Sequence, residues 1–166
     1  MKAPADPFDD ISRLPAAVHA TAVVIGEWGI LIRGPSGAGK SQLARALVEK
    51  ALTSGKFARL VGDDRVILRL VGGRIVAHPH GEIAGLIEIR GQGIIRQEHE
   101  AGAIIRLVID LEPTDADGHT PPRMPEKQHR IINLDGIPLA RLHLPGGRSA
   151  ADTASDVMAF LRPVRT

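Results

Sequence analysis

The sequence predicts one α/β domain with a mixed sheet built around a phosphate-binding loop, and three observations carry that prediction. The stretch "GPSGAGKS" at 34–41 lies between an apolar run, "GILIR", and a helical stretch, "QLARALVEKAL". The other apolar runs are short, β-rich and arrive in hairpin-like pairs, whereas a doubly wound parallel sheet would show strand and helix in alternation. The length, 166 residues, suits a single core and is too short for two ordinary domains.

Taken in order, residues 1–17 carry prolines and aspartates without periodicity and read as a tail before a domain over 18–166. "TAVVIG" and "GILIR" are strands separated by "EWG", a gap that suits a hairpin and makes them antiparallel neighbours. Beyond the loop, Leu43, Ala44, Leu47, Val48 and Ala51 recur at helical spacing up to "TSGK". "ARLVG" and "RVILRLV" flank Asp63-Asp64, and Gly72-Gly73 turns the chain back into "RIVA". "HGEIA" suits a helical turn, and "LIEIRGQGII" and "IIRLVIDLE" read as strands. "PTDADGHTPPRMPEKQ", at 113–128, is a polar, proline-rich loop long enough to be functional. "RIINL" and "PLARLHLP" are further strands, and "SAADTASDVMAFLR" closes the chain as a helix capped by serine or aspartate.

Composition narrows the function. No cysteine is present, which excludes disulfides, thiol catalysis and thiolate metal sites and fits a reducing, cytoplasmic setting. Aromatic residues make up 2% and the net charge is +2, a poor basis for stacking on nucleic acid. The apolar runs are strand-sized and the N-terminus lacks an apolar central region, so neither a membrane span nor a signal peptide is expected.

The spacing of Gly34, Gly39, Lys40 and Ser41 is that of a P-loop, in the strand-to-helix context the motif requires. Backbone N–H groups from Gly34, Ser36, Gly37, Ala38 and Gly39 can turn inward on phosphate oxygens, with the helix N-terminus adding its positive end. Lys40 reaches the outer phosphates and Ser41 can ligate Mg²⁺. Such a loop identifies a donor and leaves the acceptor open. Paired acids at a turn are ordinarily just solvated, yet Asp63 and Asp64 follow a buried strand, where one carboxylate can serve a metal and the other an acceptor hydroxyl. Glu88 and Arg90 alternate within "IEIRG" and share one strand face, with Ile87 and Ile89 on the other; by itself such a pair is a solvated surface. His19 alone reads equally well as a strand-start residue.

Together, His19, "GPSGAGKS", "LVGDD", "LIEIRGQGII" and "PGGR" resemble the catalytic domain of the HPr kinase/phosphorylase family, over about residues 18–161. "IEIRGQGII" carries the most weight, because P-loops are common and this block is not. The resemblance implies a P-loop kinase variant related in fold to phosphoenolpyruvate carboxykinase. It implies transfer from ATP to a serine of the phosphocarrier protein HPr, and the reverse attack of inorganic phosphate on phosphoserine to give pyrophosphate. His19 would lie beside the reacting phosphate, Ser41 and Glu88 would hold Mg²⁺, and one of Asp63 and Asp64, with Asp64 favoured, would shuttle the proton. The stretch 87–96, with Ile87, Arg90, Gly91 and Gly93, would line the catalytic site. A mobile-loop arginine would correspond to Arg123, or else Arg130. Pro145, Gly146, Gly147 and Arg148 would fall in the segment needed for phosphorolysis. The family also suggests a homo-oligomer, a hexamer.

Two other readings stand beside this one. A small-molecule kinase of the same variant would turn over metabolites without a protein substrate. A non-catalytic nucleotide or phosphate sensor would need the loop but not the second set of acids, Asp63, Asp64 and Glu88.

Overall fold

Strands that read as near-continuous apolar runs must be covered on both faces, and "GILIR" and "RLVIDL" contain such runs, Ile30–Ile32 and Leu107–Ile109. In the computed structural model of the chain, which describes residues 17–113 and 126–162, both runs lie at the centre of an eight-stranded sheet. The strands are β1 (Thr21–Ile25), β2 (Trp28–Arg33), β3 (Ala58–Gly62), β4 (Val66–Val71), β5 (Arg74–Pro79), β6 (Leu86–Ile89), β7 (Gly93–Arg96), β8 (Ala103–Glu112), β9 (Ile131–Leu134) and β10 (Ile137–Pro145). The helices are α1 (Lys40–Thr53) and α2 (Ala150–Phe160).

The main path of the sheet runs β3-β1-β2-β8-β10-β9, with the β4–β5 hairpin joined through β5 to the start of β8. β1 pairs antiparallel with β2 and β3, and β9 pairs antiparallel with β10. β2 and β10 run parallel to β8 on its two sides. The sheet is therefore mixed, as the hairpin-like spacing predicts. The parallel core gives it a shared C-terminal edge at Arg33, Glu112 and Pro145, the edge at which open α/β sheets bind ligands.

Side-chain alternation assigns the two faces. Ile30, Ile32, Leu107 and Ile109 pack with Leu43 and Leu47 of α1 and Val157 and Met158 of α2. Leu31 and Val108 point the other way, into a second cluster with Val66, Leu68 and Ile75 of the hairpin and Ile132 and Leu134 of β9. Both helices thus cover one face and strands cover the other. At the end remote from the glycine-rich loop, Trp28 meets Phe160 edge to face, with centroids 6.2 Å apart.

α1 starts where Gly39, at φ 97°, leaves the helical region, and ends in a turn where Lys56 N–H donates to Ala51 O at 2.9 Å. For α2 the cap is Ser149, whose side chain accepts from Asp152 N at 3.4 Å. No helix among the described residues is long and apolar enough to cross a membrane.

Two element assignments change. "LIEIRGQGII" is a separate two-stranded hairpin, β6 with β7, turned by Gln92 N–H donating to Ile89 O at 3.0 Å. Gly91 and Gly93, at φ 80° and 86°, supply that turn. Arg90 consequently falls in the turn and does not share a strand face with Glu88. Of the predicted proline-rich loop, residues 114–125 lie outside the described residues, and Lys127 and Gln128 belong to a single 3₁₀ turn, Lys127–Arg130.

Candidate functional site

The C-terminal edge of the parallel strands is drawn tightly together. A Cβ on Gly34 would come within 2.8 Å of the Leu111 carbonyl oxygen, so the chain leaving β2 passes directly against β8. Gly146 N–H donates to Glu112 O at 2.6 Å, tying the end of β10 to the same place. Residues 36–41 of the loop and the segment 145–148 thereby share the wall of one cavity of about 590 Å³, whereas Gly34 lies behind it and is not a lining residue. His19, Asp64, Glu88 and Arg90 complete that wall, with Thr21, Arg45 and Thr153.

α1 presents a bare N-terminus to this cavity. Its cap, Gly39, has no side chain to accept the first N–H groups, and its first turn carries no acid. Unpaired N–H donors with the helix's positive end favour an anion. Lys40 is nearly buried, and its Nζ donates to Gly34 O at 2.8 Å and to Pro35 O at 3.0 Å. Burial pushes its pKa below the ordinary lysine value of 10.5, with the carboxylates of Asp64 and Asp63 pulling the other way.

The neighbouring acids are sent to different environments. Asp64 adopts the left-handed conformation, φ 64°, which Asp tolerates better than most residues, and Arg65 N–H donates to Asp63 O at 2.7 Å across the turn. Asp63 is 4% exposed, and its Oδ1 accepts from both Ser41 Oγ at 2.7 Å and Thr21 Oγ1 at 2.8 Å. Asp64 has a side chain 70% exposed, and its Oδ1 lies 2.9 Å from Nε2 of His19. The contact is a hydrogen bond to the carboxylate in the His19 tautomer that carries hydrogen on Nε2. One acid is thus sequestered beside the Ser41 hydroxyl, and the other is presented outward with a histidine partner.

Oxygen groups dominate where a cation would sit: the Ser41 hydroxyl, the Asp63 carboxylate behind it and Glu88 on the wall. That donor set suits a hard cation. Among the described residues no cluster of three or more His, Cys, Asp or Glu could hold a metal. A cation here would complete its shell with phosphate and water oxygens, which is how Mg²⁺ is usually bound.

Of the other sequence candidates, Ser36, Gly37 and Ala38 line the cavity with Gly39, Lys40 and Ser41. So do Pro145, Gly146, Gly147 and Arg148, the last donating from Nη1 to Asp156 Oδ2 at 3.0 Å and so bracing the segment on α2. Ile87 is buried in the helix-side core, and Gly91 and Gly93 are not lining residues. Arg130 is exposed at the end of its 3₁₀ turn and also lies outside the lining. Arg123 lies outside the described residues.

Sequence reading missed one buried group beneath the loop. Asp110, fully buried, accepts from Arg33 at Nε (2.7 Å) and Nη2 (2.8 Å) and from Arg141 Nε (2.6 Å). These three side chains join β2, β8 and β10, and Arg33, the last residue of β2, immediately precedes Gly34. An Asp inside the apolar run "LVIDL" is the signal, since a carboxylate in a central strand needs cationic partners.

Comparison with known proteins places the chain in a family. The family model described as HPr Serine kinase C-terminal domain matches residues 13–159. An HPr kinase/phosphorylase of Exiguobacterium is 35% identical over 144 residues, covering 81% of this chain and 44% of that protein. One of Geobacillus thermodenitrificans is 37% identical over 144 residues, covering 78% of this chain and 42% of that protein. The chain thus spans less than half the length of these relatives. In fold it resembles the solved HPr(Ser) kinase/phosphatase of Coxiella burnetii, with a TM-score of 0.66 at 24% identity over 87% of this chain and 95% of that one.

Proposed function

Because the chain belongs to the HPr serine kinase C-terminal domain family, we propose that its cavity transfers the γ-phosphoryl group of ATP to a serine hydroxyl of HPr and returns it to inorganic phosphate. The observation that supports this reading best is the convergence on one cavity of the glycine-rich loop and the exposed Asp64, with the buried Asp63 held behind Ser41. The loop 34–41 acts as a P-loop of the kinase variant related to phosphoenolpyruvate carboxykinase, and the reaction belongs to the cytoplasm.

Ser41 and Glu88, with Asp63 behind Ser41, would hold Mg²⁺, which when bound offsets charge on the phosphate oxygens. Lys40 moves from the Gly34 and Pro35 carbonyls to the outer phosphates. Asp64 accepts the proton of the serine hydroxyl as its oxygen bonds to phosphorus and the bond to ADP breaks. His19 holds the Asp64 carboxylate through its Nε2–H. In reverse, an oxygen of inorganic phosphate in the same cradle attacks the phosphoserine phosphorus. The bond to the serine oxygen breaks, Asp64 passes to that oxygen the proton it takes from the attacking hydrogen phosphate, and pyrophosphate leaves. The cradle serves both directions because N–H groups and Lys40 recognise phosphate and not adenine.

Incubation of the purified chain with Mg-ATP and HPr, read by intact mass, tests the proposal. It requires one phosphate on HPr, located to serine, and its loss with release of pyrophosphate when phospho-HPr and inorganic phosphate are supplied. ATP turnover that leaves HPr unmodified while a small-molecule hydroxyl is phosphorylated would replace the acceptor.

A further inference from the structure

A single oxygen, Oδ1 of Asp63, accepts two hydroxyl protons, from Ser41 at 2.7 Å and from Thr21 at 2.8 Å. The two donors are not equivalent. Ser41 is in the first turn of α1 at the cavity, and its oxygen is the group positioned to leave Asp63 for a cation. Thr21 is the first residue of β1, fully buried, its backbone fixed opposite Ile32 in the sheet. Its β-branched side chain has little rotamer freedom in a strand, so its hydroxyl stays on Asp63 whatever Ser41 does.

We propose that Thr21 is a positioning residue for Mg²⁺: it retains the Asp63 carboxylate when the Ser41 hydroxyl turns from that carboxylate to the cation. The reasoning is one of donor count, and it rests on the reading of Ser41 given above. A buried carboxylate that loses its last hydrogen-bond donor carries the full cost of desolvation, whereas one that keeps a donor does not. With Thr21 present, Ser41 can be withdrawn while Oδ1 remains satisfied and the carboxylate stays in place. Without it, every uptake of a cation by Ser41 strips Asp63 of its remaining side-chain donor among the described residues. Thr21 thereby makes the Ser41 hydroxyl available, although it has no part in the proton transfer.

The test is calorimetric titration of Mg²⁺ into protein saturated with pyrophosphate, comparing the unaltered chain with Thr21→Val and Thr21→Ser, alongside thermal unfolding without Mg²⁺. Valine keeps the shape and the strand preference and removes the hydroxyl; serine keeps the hydroxyl. The expected result is a Mg²⁺ dissociation constant raised about ten- to hundredfold in Thr21→Val, the effect of one buried hydrogen bond to a charged group, and near normal in Thr21→Ser. An unchanged constant in Thr21→Val, with only a lower melting temperature, would make the bond merely structural and overturn the proposal. Equal weakening in both variants would assign the effect to packing and overturn it as well. Absence of Mg²⁺ uptake by the unaltered chain would instead reject the reading of Ser41 itself, and this proposal with it.

Discussion

Nε2 of His19 and Oδ1 of Asp64 lie 2.9 Å apart although 45 residues separate them in sequence. The contact depends on the left-handed turn at Asp64, which directs its side chain outward while that of Asp63 stays buried. Two consecutive carboxylates thus sit in different surroundings, one kept on the Ser41 hydroxyl and one turned outward beside His19.

If His19 orients Asp64, then His19→Ala lowers the rate of phosphoryl transfer about 10- to 100-fold and leaves the affinity for Mg-ATP within about twofold, because a misplaced base costs rate and not binding. Single-turnover transfer and equilibrium binding measured on the same preparation check this.

Lys40 gives two opposite pH trends. Its folded-state pKa is lowered by burial, so between that value and 10.5 the unfolded chain holds a proton that the folded chain has released. Across this window stability rises with pH, relative to a chain without the lysine. Affinity for pyrophosphate falls over the same range as the ammonium is lost. Lys40→Met abolishes both trends and weakens pyrophosphate binding at least tenfold; chemical denaturation and calorimetry at a series of alkaline pH values read them.

The pair of guanidiniums on Asp110 predicts a large stability effect away from the chemistry. Asp110→Asn removes the fully buried carboxylate that accepts from both Arg33 and Arg141 and costs about 3–5 kcal/mol, measured as a shift in denaturant midpoint at constant slope. Because Arg33 adjoins the loop, the variant that remains folded also binds pyrophosphate more weakly.

Gly34 tolerates no side chain. In Gly34→Ala the new methyl would meet the Leu111 carbonyl at 2.8 Å, at a backbone φ of 155°. Overpacking of this kind costs about 1–3 kcal/mol, and since the loop itself must shift, nucleotide affinity falls with stability. Urea denaturation with and without Mg-ADP separates the two losses.

Much of this was legible in the residues. The loop announced itself by spacing, and the mixed sheet by hairpin-length gaps such as "EWG", because turn chemistry and periodicity are local signals. The β6–β7 hairpin was not resolved from a continuous strand, since "RGQG" differs from a bulge only once Ile89 O and Gln92 N–H are known to meet. Thr21 and Asp110 stayed invisible for a different reason. Each owes its importance to partners 42, 77 and 31 residues away, Asp63, Arg33 and Arg141, and sequence shows a polar residue in a strand without showing what it faces.

The central claim is that this one cavity passes a phosphoryl group to a protein serine with Asp64 taking the proton. Its most direct test is single-turnover transfer from Mg-ATP to HPr by the unaltered chain and by Asp64→Asn, with nucleotide binding measured for both. The account predicts transfer by the former, a loss of about 10²–10⁴-fold in the latter, and equal binding. Transfer undiminished in Asp64→Asn, or none to HPr from the unaltered, nucleotide-binding chain, would contradict it.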